Sequence, residues 1–327
     1  MKFFRRAHGI LEDSGWIGRA IRGMALPVTM EELAWAAVAR RDGIRRGDTD
    51  ALRLIDAAGD GLPGVVLEEF AGRWLISTVD AKPFPAWLLP WLRASGRACY
   101  HKRLDQHQKE SPRWLCGPTV EGVFPIRECG VVYEASFSSG YSQGIFLDQR
   151  DNRRELRGRV GQGMRVLNTF AYTGAFSVCG ALGGAETTTL DLSQPYLDWA
   201  RRNFELNGIA QDAHHFCKGD TFHWLRRFGK QGRQFDGVVL DPPTFSRDDK
   251  GTVFRVERDF GDLVALAAKV VVPGGWILCC TNFRKMTHRE FERQLMEKTP
   301  GRFMAAHRAM PEDFVDVPYL KSVWLES

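Results

Sequence analysis

Asp241-Pro242-Pro243-Thr244-Phe245 follows directly on the apolar run at residues 235–240. A carboxylate, two rigid prolines and an aromatic ring at the carboxyl end of a strand can grip a planar nitrogenous group. Asp241 and the backbone near Pro242 and Pro243 would hold its edge, and Phe245 would stack on its face. Asp-Pro-Pro also serves as plain turn punctuation after a strand, so the string gains weight from what precedes it. Upstream, two more acids end strand-like runs: Asp191 after Thr188-Thr189-Leu190, and Asp220, with Gly219, after His215-Phe216-Cys217. Either acid alone could cap the helix that follows. An acid after each of three successive strands is harder to ascribe to capping, because such carboxylates can hold a ribose diol and meet an adenine amino group.

The strand before these, residues 165–168, runs into Asn168-Thr169-Phe170-Ala171-Tyr172-Thr173-Gly174-Ala175-Phe176-Ser177. A dinucleotide would call for GxGxxG at this turn, so that the backbone could approach a pyrophosphate. That triple glycine is absent. A single glycine with polar neighbours suits a ligand without phosphates, such as S-adenosylmethionine, whose sulfonium and amino-acid moiety need carbonyls and a carboxylate.

These loops need a parallel sheet to hold them. From residue 165 onward strands near 165–168, 188–191, 215–217, 237–240 and 276–280 alternate with helices from 174, over 195–207, near 221–227 and over 260–271. Alternation of apolar strands with helices implies an α/β fold with a parallel-dominated sheet covered on both faces, and ligands bind at the carboxyl ends of its strands. Before it, residues 52–133 read as a small α+β unit: short β-rich runs at 64–67 and 74–77, turns such as 60–64, and a helix over 83–92 interrupted by Pro90. A helix over 31–41 with Thr29 as its cap precedes that unit. The polar stretch SFSSGYSQG at 136–144 is the expected link, giving an N-terminal helical extension over 1–50, a small α+β domain over 51–138 and a Rossmann-like domain over 139–327.

Composition bounds the rest. The chain has 327 residues, 44% hydrophobic and 26% charged, with a formal charge of +5. This is ordinary globular composition with a mild basic bias. Arginines cluster at Arg40-Arg41, Arg45-Arg46, 150–159 and Arg226-Arg227, which suits phosphate contacts, although a solvated helix face would look the same. Seven cysteines form no CxxC pair, so reduced thiols and no metal site are expected, and His214, His215 and His223 read as structural. No run approaches the ~18 apolar residues of a membrane span, so a cytoplasmic protein is expected, as monomer or homodimer. Trp114, Tyr133 and Trp199 read as core residues. His101-Lys102-Arg103 and 106–109 read as a basic loop or an RNA-facing edge.

The stretches VLNTFAYTGAFSVCGALGGAETTTLDLSQPYLDWARRNFELNG and FDGVVLDPPTFS, preceded by GDGLPGVVLEEF and GIFLDQRDNRREL, resemble class I S-adenosylmethionine-dependent methyltransferases of the large-subunit ribosomal RNA type. That group includes a cytosine-C5 enzyme and a guanine-N7 domain. The resemblance covers residues 52 to 284 or so. It implies S-adenosylmethionine as cofactor and ribosomal RNA as partner, with Phe146, Asp148, Gln149 and Arg150 of the FLDQR element covering the cofactor. It further implies a cofactor pocket from Asn168, Phe170, Tyr172, Thr173, Gly174, Asp191, Leu192, Ser193, Asn207, Asp220, Thr221 and Asp241. Asp241, Pro242, Pro243, Phe245 and Asn282 would be catalytic.

The chain departs from the cytosine-C5 pattern in two places. Those relatives carry an RNA-binding domain ahead of the Leu62-Pro63 turn, for which the preceding residues leave no room. They also need a cysteine that adds to C6 of the base, because C5 is otherwise a poor nucleophile. Counted from Gly274-Gly275, that position falls on Asn282, while Cys279 and Cys280 come early and read as strand residues. The Thr281-Asn282-Phe283-Arg284-Lys285 ending is similar to the guanine-N7 domain. The expectation is direct transfer to guanine N7 or an exocyclic amine, with Asn282 or Arg284 holding the base edge or its phosphate. Cytosine C5, a small-molecule or protein acceptor, and a noncatalytic RNA-binding role are the alternatives.

Overall fold

The computed structural model describes residues 28–44, 47–79, 84–104, 110–247 and 253–327. Arg45-Arg46, Pro83, residues 106–109 and most of the N-terminal extension lie outside the described residues. Helix α1 (Met30–Arg41) begins with a capping box in which Thr29 and Glu32 each accept the other's backbone N–H. Next come β1 (Ala51–Asp56), β2 (Val65–Phe70), β3 (Arg73–Thr78), helix α2 (Leu88–Ala94), β4 (Cys99–Arg103) and β5 (Arg113–Cys116), forming one five-stranded sheet in chain order. β3 and β4 are parallel and the other pairs antiparallel. Leu52, Leu54, Trp74, Ile76, Trp91 and Leu92 make a core beneath α1 and α2. The second helix starts at Leu88, later than the expected 83, which puts Pro90 in its first turn, where a missing N–H breaks no intrahelical bond. Trp114, expected in the core, is 53% exposed on the edge strand β5.

A hairpin of β6 (Val123–Glu128) and β7 (Val131–Ser136) and helix α3 (Arg150–Arg159) lead into the large sheet. Its elements are β8 (Arg165–Thr169), α4 (Ala175–Leu182), β9 (Glu186–Asp191), α5 (Gln194–Leu206), β10 (His215–Lys218), α6 (Thr221–Lys230) and β11 (Phe235–Leu240). A second hairpin, β12 (Phe245–Arg247) and β13 (Val253–Arg255), is followed by α7 (Val256–Ala268), β14 (Val271–Thr281), α8 (His288–Lys298), β15 (Met304–Arg308) and β16 (Lys321–Glu326). The strand order is β10-β9-β8-β11-β14-β16-β15. The first five are parallel, while β16 runs antiparallel to both neighbours. The helix expected over 260–271 instead starts at Val256 and stops at Ala268, because the β-branched run Val270-Val271-Val272 enters β14. Val239 faces one hydrophobic core and Val238 the other, as a sheet covered on both faces requires.

Three of the clustered arginines expected to meet phosphate, Arg41, Arg150 and Arg153, are instead inside. Arg150 places two guanidinium nitrogens on the carboxylate of the fully buried Asp313, at 2.6 and 3.1 Å. Asp313 also accepts the backbone N–H of Arg53, and its carbonyl accepts from Arg41. Arg41 in turn pairs with buried Asp60 at 2.7 Å. Arg153 makes a second bidentate pair with buried Glu128, both contacts 2.7 Å. Such pairs hold because geometry and extra hydrogen bonds offset the desolvation of both ions. Removing one partner strands the other. Asp313→Ala is expected to cost about 3–5 kcal/mol in urea unfolding, and Asp313→Leu combined with Arg150→Met distinctly less; a loss below about 1 kcal/mol, the size of a surface pair, would show that the network does not join these elements.

Candidate functional site

From β8 the chain builds outward through β9 and β10, then returns to add β11 on the other side of β8. The loops after β8 and β11 therefore diverge and leave a crevice at the carboxyl ends of the strands. The loop after β8 is tightly wound. Phe170 and Tyr172 take left-handed φ values of +50° and +51°, followed by Gly174 at +75°. For aromatic residues that conformation is costly and concentrates at functional sites. Gly174 is needed for space as well, since a Cβ there would lie 2.6 Å from the Cβ of Ala200 on α5.

The crevice is a cavity of about 540 Å³. On its wall stand Phe146, Asp148, Gln149, Phe170, Tyr172, Asp191, Leu192, Thr221, Asp241, Pro242, Pro243 and Asn282, all picked out by the sequence reading. Asp191 is aimed by its own loop, accepting the Tyr172 N–H at 2.8 Å and the Ser193 N–H at 2.9 Å. Gln149, on the short 3-10 turn before α3, donates to Asp241 at 2.9 Å, while its carbonyl oxygen accepts from Asn152 at 2.6 Å. Asp148 accepts the Tyr319 hydroxyl at 2.9 Å. Tyr172 packs against Phe146 and Tyr196, giving the cavity an aromatic side.

Other expected residues sit behind this wall rather than on it. The Arg150 guanidinium is drawn inward by Asp313. Asn168 donates to Ser177 in the buried layer, and Thr173 donates to the Gly144 carbonyl. Gly174 and Ser193 shape turns at the starts of α4 and α5. Asp220 caps α6 through the His223 N–H, so the neighbouring Thr221 reaches the cavity instead. Asn207 follows α5 and pairs with both the N–H and the carbonyl of Val132 on β7. Phe245 starts the β12–β13 hairpin, 53% exposed and off the cavity wall. Tyr141, Ser142, Tyr196, Thr244 and Leu320 join the wall without a sequence signal that assigned them to it. Tyr141-Ser142 lay in the stretch taken for a link, and Leu320 arrives through an antiparallel strand with no local signal.

A family model for S-adenosylmethionine-dependent methyltransferases matches residues 85–322. The chain belongs to that family. It is 31% identical to a ribosomal RNA large subunit methyltransferase of Deinococcus radiodurans, over 92% of this chain and 81% of that one. It is 32% identical to ribosomal RNA large subunit methyltransferase K of Neisseria meningitidis, over 84% and 79%. Among solved structures, SMU.776 complexed with S-adenosylhomocysteine superposes with a TM-score of 0.83 at 27% identity, covering 94% of this chain and 83% of that one. The cofactor of this methyltransferase is S-adenosylmethionine. The cavity carries groups that fit it: a carboxylate presented by backbone amides after β9, an aromatic side, and further carboxylates for a cationic ligand.

Those carboxylates are electrostatically loaded. Burial pushes the Asp241 carboxyl up to about 7, and the nearby Asp148 adds to the rise, while the Gln149 hydrogen bond opposes it. Burial likewise raises Asp148 and Asp191, against the Tyr319 hydroxyl in one case and backbone N–H groups in the other. A cation beside Asp241 favours its ionised form, so binding near neutral pH must displace a proton. Affinity for S-adenosylmethionine is therefore expected to rise as pH increases through about 7, by up to roughly tenfold per unit below that value. Because the native carboxyl binds its proton more tightly than the unfolded one, the cofactor-free fold should gain stability as pH falls from about 7. Calorimetric titration between pH 6 and 8 checks the first expectation; an affinity flat across that range, or the same slope in Asp241→Asn, would overturn it.

Proposed function

We propose that this methyltransferase modifies a base of large-subunit ribosomal RNA, by direct transfer to a nitrogen, either guanine N7 or an exocyclic amine. The relatives named above support the substrate class. The acceptor class rests on where the thiols are. Cys279 and Cys280 lie in β14, fully buried, and burial holds both thiols well above their ordinary range. Among the described residues, no cysteine lines the cavity, and Asn282 stands on its wall instead. Attack on C6 of a cytosine needs an accessible thiolate, whereas a ring or exocyclic nitrogen brings its own lone pair.

S-adenosylmethionine, when bound, would supply an electrophilic methyl group; guanine N7 would take it without losing a proton, whereas an exocyclic amine would also release one, which Asp241 on the cavity wall could accept. The chain's part is to hold and to dry the site. Asp191 would take the ribose hydroxyls, and Tyr172 and Tyr196 would cover the cofactor. Pro242 and Pro243 fix the backbone on which Asp241 and Thr244 sit, so the edge of the base meets preset acceptors. Asn282 can donate or accept at the same edge. The target base must leave its stack to reach this depth, which costs a few kcal/mol and favours unpaired sites.

Nucleosides from ribosomal RNA of a strain lacking the gene, compared by mass spectrometry with the parent, are expected to lack one N-methylated base. Complementation with Cys280→Ser should restore it to within a few-fold, and Asp241→Ala should not. Loss of 5-methylcytidine instead, or failure of Cys280→Ser with cofactor affinity intact, would rule out noncovalent transfer to nitrogen.

A further inference from the structure

A second cavity of about 620 Å³ lies between the face of β1–β3 and the cofactor crevice. The two share a wall made by Tyr141, Ser142, Phe146, Asp148 and Asn282. Group transfer requires donor and acceptor to meet across such a shared wall. Asp148 is the one carboxylate in it, held there by the Tyr319 hydroxyl. The cavity's size falls within the range of small-ligand sites.

Two polar groups on this cavity's lining residues have no hydrogen-bond partner in the protein. The Ser77 hydroxyl on β3 belongs to a residue only 1% exposed. The Nε of Arg53 on β1 is also unpaired, although its Nη atoms are taken by Asp56 at 2.8 Å and Glu68 at 2.9 Å. Buried polar atoms are nearly always paired, so an orphaned donor and an orphaned hydroxyl on one cavity ask for a partner. Between them they offer one N–H and one group that can donate or accept. A carbonyl beside a ring nitrogen or amino group, the edge of a nucleobase, presents the matching set. The cavity also has aromatic surface from Phe70, Tyr141 and Tyr319. At its border the Arg284 guanidinium stacks on Tyr319 at 4.7 Å, exposed, and suits a phosphate.

We infer that this second cavity seats the acceptor base, swung out of the RNA, with its inner edge read by Ser77 and Arg53 and its reactive edge turned across the wall of Asp148 and Asn282 toward the Asp241-Pro242-Pro243-Thr244 loop of the crevice. The inference rests on the RNA reading above. It assigns the small sheet a share in choosing the base. It also accounts for Ser77, a polar residue buried in the strand directly after Trp74-Leu75-Ile76.

Two variants test it with purified full-length protein, tritiated S-adenosylmethionine and large-subunit ribosomal RNA from the strain lacking the gene. Val79 is half-exposed on the cavity wall and away from the cofactor crevice, so Val79→Trp fills the cavity without burying a new side chain. It should lower transfer more than tenfold while leaving calorimetric affinity for S-adenosylmethionine within twofold. Ser77→Ala removes a hydroxyl that satisfies nothing in the protein, so the melting temperature should stay level or rise, yet KM for the RNA should increase by about tenfold, the value of one hydrogen bond to a buried partner. A merely structural Ser77 would give the stability result without the KM change. Wild-type rates in both variants overturn the base pocket alone. Wild-type protein that methylates a protein or small molecule and not this RNA overturns the RNA reading and the occupant assigned here with it.

Discussion

The buried carboxylate of Asp313 is the constraint on which the arrangement of both sheets depends. One side chain and one carbonyl receive the backbone of β1, the guanidinium of α3 and the guanidinium of α1. Three segments, each far from Asp313 in sequence, are thereby fixed to the chain that leads into β16. Moving α3 would leave the Asp313 charge in the interior, a cost above what any single apolar contact supplies, and moving β1 or α1 would take a hydrogen bond from its buried carboxylate or carbonyl. The register of the small sheet against the large one is thus set by charge. Apolar packing fills in around it.

Fixing Arg150 and Arg153 fixes what lies immediately before them. Along residues 146–153 the side chains are divided by role: Arg150, Asn152 and Arg153 point into the protein, onto Asp313, Ser322 and Glu128, while Phe146, Asp148 and Gln149 line the cofactor crevice. The inward set anchors the outward set. Asn152 links the two directly, because its amide holds the Gln149 carbonyl oxygen and so turns the Gln149 N–H toward Asp241. A loop carrying the same crevice residues without that inner anchor would have to pay the ordering entropy of each when the ligand binds.

Much of this was legible in the chain. The acid after each strand, the missing dinucleotide glycines and the strand–helix rhythm led to the parallel sheet and to most of the crevice wall, because those signals are local and each element carries its own. The arginine-rich stretch at 150–159 misled, since a buried bidentate arginine and a phosphate-binding one have the same sequence signature; only the distant Asp313 and Glu128 distinguish them. Asp220 and Thr221 show the same limit at finer scale. Which of two neighbours faces a ligand depends on whether the first is used as the helix cap, and both readings fit the sequence. Leu320 and Tyr319 had no signal at all, because an antiparallel strand pair after the last crossover brings them in from the far end of the chain.

The crevice carries its acids at an electrostatic disadvantage, and that disadvantage bears on catalysis. Burial raises the hold of both Asp148 and Asp241 on a proton, Asp148 adds to the rise at Asp241, and the hydrogen bonds from Tyr319 and Gln149, with the charges of Arg53 and Arg153 at Asp148 and of Arg153 at Asp241, work against it. A solvated pair of carboxylates would gain little from meeting a cation, since water already screens them. A desolvated pair gains much more, and it gains most while positive charge stays close to both. In the transfer proposed above, positive charge would develop at the acceptor as it is lost from the cofactor, and Asp148 lines both cavities. A carboxylate common to both would face positive charge on either side, with no reorganisation needed as the charge moves. Fold stability is the term given up to hold such acids unpaired, as preorganised polar sites generally require.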